Sequence, residues 1–325
     1  MRMNFTCRIC GSTGLFPIHS VREMMFGTRE TFDYFECTAC SCLQISEIPS
    51  DPGTSYPDDY YAFSRPRLPS FLGLRRALNR IGMDHALGNR THAGRAICHL
   101  YGDQRLPSWP LPARLSLKDH ILDVGCGNGK RLLQLYTAGF EHLTGIDPYI
   151  PGDICYAEGV TVLKRSLDQV AGSFDCIVLH HSFEHMPDPK DVLKRLHGLL
   201  SPNRFLVLRI PVFPSYAWRT YGTDWIQLDA PRHLFLYSRK SLEVLANATG
   251  FRIEQVVFDS MAMQFLGSAQ YRRDIAHTDP ESYVHGFRKS IFTRSEVDKY
   301  RELASSLNAQ GDGDQAIFYL RREDG

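Results

Sequence analysis

No apolar run in this chain of 325 residues approaches the ~20 residues that cross a bilayer as a helix, which argues against a helical membrane span. The stretch from Met1 to Cys7 also lacks the apolar segment of a signal peptide, so the expected compartment is the cytoplasm. An excess of one charge is missing too. The chain carries 37 Lys and Arg against 36 Asp and Glu, a formal net charge of +1. No global field therefore favours nucleic acid or a membrane surface, and any such contact must come from a local patch. There is no internal repeat and no low-complexity tract. Hydrophobic residues at 43% and charged residues at 22% are ordinary for a globular protein. The length suits one large domain with a small module attached.

Cysteine is not scarce: there are nine. Disulfides are disfavoured in a reducing compartment. Four of the nine form two C-x-x-C pairs, Cys7-Arg8-Ile9-Cys10 and Cys37-Thr38-Ala39-Cys40, separated by 26 residues. Each pair makes a tight knuckle, and Gly11 suits the turn after the first. Four thiolates give the closed tetrahedral set of a structural zinc ion. Zinc also helps a segment of about fifty residues that barely buries a core of its own. A redox pair would open a helix in a βαβ unit, which is not visible here. An iron–sulfur cluster stays open as an alternative. Cys42 is a spare that can stand in for Cys40, although the matched spacing favours Cys40. An all-cysteine set leaves no open position, so no catalysis is expected at this metal.

The chain reads in three parts. Residues 1–50 hold the cysteine pairs and little helical periodicity. Residues 51–118 form a connector rich in Pro, Gly and Arg with short helical stretches. Residues 119–325 alternate strand and helix patterns, which predicts an α/β layer fold with a mainly parallel sheet and an insertion over about 260–312. Expected strands are Ile121–Val124, Leu143–Ile146, Cys176–Leu179, Phe205–Leu208, 251–258 and 315–321. A helix over 130–138 should stop at Gly139. Asp188-Pro189 should open another with Leu193, Leu196, Leu199 and Leu200 buried, and Ser238 should cap a third that ends before Gly250.

Within the third part, Asp123-Val124-Gly125-Cys126-Gly127-Asn128-Gly129 follows one strand and precedes one helix. Glycines at 125, 127 and 129 let the backbone approach a ligand closely. Asp147 ends the next strand, where a carboxylate can accept both hydroxyls of a ribose. A dinucleotide dehydrogenase is the competing reading, but its fingerprint is G-x-G-x-x-G aimed at a pyrophosphate. Here the third glycine comes one residue earlier and an acid precedes the turn. That acid suits a ligand with an ammonium group and no phosphate.

Three stretches resemble the class I S-adenosylmethionine (SAM)-dependent methyltransferases, specifically the subgroup that acts in sugar and surface-glycan biosynthesis. They are Ile121 to Gly129, the run Phe174-Asp175-Cys176-Ile177-Val178-Leu179-His180-His181-Ser182-Phe183-Glu184-His185-Met186-Pro187-Asp188-Pro189, and the run Asp229-Ala230-Pro231-Arg232-His233-Leu234-Phe235-Leu236-Tyr237-Ser238. The likeness covers residues 119–258. It implies a Rossmann-like sheet with helices on both faces, SAM as cofactor and S-adenosylhomocysteine as product. It implies cofactor contacts from Asp123, Gly125, Cys126, Gly127, Asn128, Gly129, Asp147 and Pro148. It also implies that Ser166 and Leu167 flank the adenine and that His180 lies under the methionine portion. The pair Tyr60-Tyr61 resembles an element that closes over the cofactor, with Tyr61 in contact. Similar cysteine modules occur at the N-terminus of some sugar methyltransferases.

Methyl transfer is an in-line displacement in which the protein aligns the acceptor and removes its proton. His180, His181, Glu184 and His185 come directly after a strand, at the edge where open α/β sheets bind ligands. His181, Glu184 and His185 are candidate acid–base residues, because imidazole titrates near neutrality. His233 is a fourth candidate, beside Arg232, which suits a phosphate. Tyr221, Trp225 and Asp229 precede them and suit a hydroxylated acceptor. The bland alternative for Arg232 is a buried pair with a carboxylate. Arginines at 65, 67, 75, 76, 80, 90 and 95 against Asp84 form a basic segment. It reads as a helix whose Phe71, Leu74, Leu78 and Ile81 face the core with solvated arginines outside, or as a surface for a nucleotide diphosphate or an anionic lipid carrier. Gly73 weakens that helix.

The expected activity is methyl transfer to a hydroxyl or carbon of a nucleotide-activated sugar or glycan unit. An RNA-modifying methyltransferase is a second reading, disfavoured by the neutral charge and by arginines without interleaved aromatics. A non-catalytic scaffold on the same fold is a third, disfavoured by the intact glycine turn and the histidine cluster.

Overall fold

Unbroken apolar runs such as Ile121–Val124 and Cys176–Leu179 suit strands covered on both faces. A computed structural model describes residues 2–50, 66, 72–101 and 107–323, and both runs lie at the centre of its larger sheet. The first part supplies β1 (Arg2–Thr6), β2 (Thr13–Arg22), β3 (Thr31–Glu36) and β4 (Leu43–Ile45), all antiparallel. The connector supplies α1 (Leu72–Ala86) and α2 (His92–Tyr101). The third part runs β5 (His120–Val124), α3 (Lys130–Ala138), β6 (His142–Ile146), β7 (Ile154–Ala157), β8 (Val160–Leu163), β9 (Phe174–His180), α4 (Pro189–Leu199) and β10 (Leu200–Pro211). It continues with α5 (Tyr216–Tyr221), β11 (Phe235–Leu236), α6 (Arg239–Asn247), β12 (Phe251–Phe258), α7 (Met263–Arg272), α8 (Arg294–Gln310) and β13 (Gln315–Arg322).

The larger sheet has the order β12-β13-β10-β9-β5-β6-β8-β7. Its five central strands, β10 to β8, are parallel, and antiparallel pairs close both edges. Consecutive strand residues face opposite sides. Leu122 and Ile177 therefore join a core with α4 and α6, while Ile121 and Val178 join one with α3. Helices on both faces of a mainly parallel sheet make this a Rossmann-like fold, as expected.

Local signals set the helix ends. Gly139 ends α3 at φ 112°. Asp188 precedes α4, with Pro189 at its first position. The Ser238 hydroxyl accepts the Ser241 amide at 2.9 Å and starts α6. In the insertion, α8 opens with a capping box in which Thr293 and Glu296 satisfy each other's amides.

Three features depart from the sequence reading. The sequence pattern gives no sign of the hairpin of β7 and β8, because each strand is only four residues long. Helix α1 forms despite Gly73, but it does not bury the apolar face expected of it. Leu74 is 69% exposed and Ile81 40% exposed. The packed side instead carries Arg76, whose guanidinium lies over the Tyr136 ring and bonds the Tyr136 carbonyl, and Arg80, which pairs with Glu141 at 2.5 Å. Met83 completes this contact with α3. Phe71 lies outside the described residues. Finally, β11 pairs with β4 and not with the larger sheet, so the N-terminal sheet has the order β1-β2-β3-β4-β11. No helix among the described residues is long and apolar enough to cross a membrane.

Candidate active site

The turn after β5 holds the first constellation. Asp123 is buried at the end of β5, and its Oδ1 has no hydrogen-bond partner among the described residues. Burial pushes its carboxyl up to about 7, helped by Asp147 and opposed by Arg131. An orphaned buried carboxylate oxygen fits an ammonium donor. Gly125 (φ 71°) and Gly129 (φ 74°) take the left-handed region. A Cβ on Gly125 would meet Ser182 Cβ at 2.5 Å, and one on Gly129 would meet Val162 Cγ2 at 2.6 Å. The loop is tied to the next strand, because the Gly127 amide donates to Asp147 Oδ2 at 2.9 Å and the Gly125 amide to the Ile146 carbonyl at 2.9 Å. Tyr149 N donates to Asp147 Oδ1 at 2.9 Å. Each carboxylate oxygen keeps a further lone pair, so Asp147 can still accept ribose hydroxyls.

The remaining cofactor candidates lie on this loop and after the neighbouring strands β6 and β8. Asn128 Oδ1 accepts the Lys130 amide at 3.0 Å at the start of α3. Cys126 packs against Gly145 of β6. Pro148 follows Asp147, and Ser166 starts the short turn of Leu167 to Gln169 after β8. Tyr60 and Tyr61 lie outside the described residues. One neighbour escaped the sequence reading: the Tyr156 hydroxyl bonds the Asn128 carbonyl from β7. No local signal marks this tyrosine, because β7 is only four residues long.

The second constellation follows β9. His180 ends that strand, and its Nε2 accepts from Arg209 Nη1 at 2.8 Å. Burial, with the charges of Arg131 and Arg209, holds its imidazole well below the usual range and neutral. The same Arg209 nitrogen reaches His181 Nε2 at 3.0 Å, and its Nε pairs with Asp259 at 2.6 Å. The other nitrogen of His181, Nδ1, lies 3.3 Å from Glu184 Oε1. Both nitrogens of His181 are thus engaged. Ser182 donates to the Val124 carbonyl at 2.7 Å, which ties this turn to the glycine loop.

Glu184 is fully buried. Burial opposes its ionisation, but the His181 hydrogen bond and the fields of His181, His233 and His185 prevail and hold its carboxyl at about 2. His233 Nε2 lies 3.8 Å from Glu184 Oε1 and 3.8 Å from Asp229 Oδ2. Its Nδ1 donates to the Gln227 carbonyl at 2.7 Å, and His185 Nδ1 donates to the Arg232 carbonyl at 2.8 Å. The two rings meet edge to face, with centroids 4.7 Å apart. Burial and His233 lower the His185 pKa, which favours the neutral imidazole. The structure therefore brings together all four expected acid–base candidates, His181, Glu184, His185 and His233.

Two neighbouring readings are decided. For Arg232 the buried pair with a carboxylate is the alternative that holds. This arginine is buried, donates to Asp229 at 2.6 Å and to Glu23 at 2.8 Å, and lies over the Phe26 ring. Trp225 is fully buried and donates to Asp314 at 3.0 Å, so it is a core residue and not a platform for an acceptor.

The four cysteines of the two C-x-x-C pairs also converge. Cys7 and Cys40 sulfurs are 3.6 Å apart and those of Cys10 and Cys37 are 3.7 Å apart. A tetrahedral site with Zn–S bonds of about 2.3 Å has edges of about 3.8 Å, so this donor set fits zinc. Gln44 Nε2 donates to Cys7 at 2.9 Å, and the Ser12 hydroxyl lies 3.2 Å from Cys10 and 3.3 Å from Cys37, which supports thiolate sulfurs. Cys42 is buried outside this group.

A family model described as a methyltransferase domain matches residues 91–256. The ubiquinone biosynthesis O-methyltransferase of Pseudomonas aeruginosa strain UCBPP-PA14 is 27% identical, over 42% of this chain and 69% of that protein. The tRNA U34 carboxymethyltransferase of Cellvibrio japonicus is 33% identical, over 30% of this chain and 34% of that protein. Among solved structures, the cyclopropane synthase MmaA2 of Mycobacterium tuberculosis aligns with a TM-score of 0.44 at 15% identity, covering 85% of this chain and all of that one.

Proposed function

The chain belongs to the methyltransferase-domain family and is a SAM-dependent methyltransferase, and we propose that it methylates an oxygen or carbon of a hydroxylated small acceptor, a nucleotide-activated sugar or a glycan unit. The observation that carries the acceptor side is the buried Glu184, with three imidazoles around it, joined through Ser182 to the glycine loop. When bound, SAM supplies an activated methyl group on a sulfonium. In this reading Asp123 holds the cofactor's ammonium, Asp147 holds its ribose, and Gly125 and Gly129 let the backbone lie close to it. Ser166 and Leu167 border the adenine and His180 the methionine portion.

His185, with Nδ1 committed to a carbonyl, keeps Nε2 as the basic nitrogen that takes the acceptor's proton. Glu184 stabilises the imidazolium formed, and His181, clamped between Arg209 and Glu184, orients the carboxylate and is not itself the base. The oxygen acceptor draws support from the O-methyltransferase relative, and the sugar class from the resemblance of the three motifs together with the four-cysteine module. That module carries zinc in this reading. Against an RNA substrate, Arg76 and Arg80 are already committed to α3.

Steady-state kinetics test the assignment. Glu184→Ala and His185→Ala should each lower kcat by about 10²- to 10⁴-fold with the SAM dissociation constant unchanged. Either variant turning over at the wild-type rate would remove that residue's role.

A further inference from the structure

Glu23, Glu184 and Arg232 are buried in one polar cluster with the half-buried Asp229. Arg232 serves two of the carboxylates, Asp229 and Glu23. The oxygens of Glu23 also accept the amides of Met25, Phe26 and Thr28 at 2.9–3.0 Å. Arg209 is paired with Asp259 and donates to two imidazoles. Glu184 receives neither guanidinium. Among the described residues its Oε1 meets only imidazole nitrogens, at 3.3 Å and 3.8 Å, and its buried Oε2 has no hydrogen-bond partner. A buried carboxylate is stable when a cation or a metal ion compensates it.

The imidazoles are arranged to supply one. His185 and His233 each donate Nδ1–H to a backbone carbonyl, at 2.8 Å and 2.7 Å, which keeps the lone pair on Nε2. Metal-ligating histidines are held in this way. One ligand atom each from Glu184, His185 and His233 lies within 4.8 Å of the other two. An ion at the centre of such a triangle would sit at most about 2.8 Å from each, so a contraction of roughly 0.7 Å reaches the ~2.1 Å of nitrogen and oxygen bonds to a divalent metal. His181 then stands outside the triangle and orients Glu184.

We infer that Glu184, His185 and His233 bind a divalent transition-metal ion, distinct from the ion of the four cysteines. Two imidazoles and one carboxylate suit manganese, iron, cobalt or zinc and leave coordination positions for acceptor oxygens. The site rests on reading this cluster as the acceptor side of the methyltransferase. His185 Nε2 is the base of the ion-free protein; with the ion bound it would be a ligand, and the ion would supply Lewis-acid polarisation of an acceptor oxygen.

The test is cobalt(II) titration of the full chain after its cysteine site has been loaded with zinc. The expected result is one further equivalent of cobalt, with weak ligand-field absorption and no thiolate-to-cobalt charge-transfer band. Glu184→Gln and His233→Gln should each keep the zinc and weaken cobalt binding by more than about 100-fold, beyond the range seen when only an outer partner of a ligand is lost. The wild type taking up no cobalt, or taking it up only with the thiolate band, would overturn the site whether or not the variants fold. So would undiminished uptake by both variants. Methylation is read separately. Absent uptake removes the ion and leaves the acceptor-side reading standing. Uptake combined with wild-type turnover of Glu184→Ala removes that reading and leaves the ion.

Discussion

Asp123 and Glu184 are both buried carboxyl groups, yet their neighbours drive them in opposite directions. Asp123 rises to about 7 because burial dominates, whereas Glu184 is held at about 2 by the imidazoles around it. A raised acid binds an ammonium only once ionised, so affinity for SAM should fall as pH drops through about 7. Calorimetry should find binding roughly tenfold weaker at pH 6 than at pH 8, the ratio that linkage requires for one such group. Ionising a buried Asp123 costs the unliganded protein stability above its ordinary range, so the thermal shift produced by SAM should grow over the same interval. Asp123→Asn should flatten this dependence and weaken SAM by about 10- to 100-fold, the worth of a hydrogen bond to a charged group. A variant with unchanged affinity and pH profile would remove the ammonium contact. All these residues were legible as candidates. Their ranking was not, because which nitrogen of His181 or His185 is engaged depends on Arg209 and on the Arg232 carbonyl, both distant in sequence.

At the scale of elements, the strand–turn–helix unit of β5 and α3 was the most legible part. Its apolar run, glycines and helix stop are all local signals. Gly129→Ala tests the turn. The substitution places a side chain at φ 74° and a Cβ 2.6 Å from Val162 Cγ2. Strain of about 1–2 kcal/mol for the left-handed backbone would add to that clash. SAM affinity should drop more than tenfold while circular dichroism remains that of the wild type. Wild-type affinity would show that the loop does not line the cofactor. The apolar face expected on α1 illustrates the opposite case. Leu74 and Ile81 share helical spacing with Leu78, but the surface offered by α3 presents a tyrosine ring and helix-end carbonyls, which arginine stems and guanidinium groups satisfy better than leucine does.

At the scale of the molecule, the cysteine-bearing sheet is continuous with the segment that carries Arg232 and His233. β4 pairs with β11, the Tyr34 hydroxyl donates to the His233 carbonyl at 2.9 Å, Ser238 donates to the Cys40 carbonyl at 2.6 Å, and Glu23 pairs with Arg232. His233 is thus positioned from both sides. Arg232→Met should destabilise the protein by about 3–5 kcal/mol, because it leaves Glu23 buried without a cation and takes the guanidinium from the half-buried Asp229. Denaturant unfolding reads that loss, and kcat should fall with it as His233 shifts. A variant of wild-type stability would mean that the two carboxylates are not compensated by Arg232.

The sequence by itself determined the units around β5–α3–β6, β9–α4–β10 and α6–β12, the cofactor class and the identity of the residues that converge, since periodicity, glycine spacing and short motifs are local properties. Tertiary structure alone decided that β11 completes the N-terminal sheet, that Trp225 and Arg232 serve the core and not an acceptor, and that Glu184 lacks a guanidinium. Each of these depends on which partner lies across a contact between segments up to about two hundred residues apart, such as Glu23 and Arg232, and no local pattern encodes that partner.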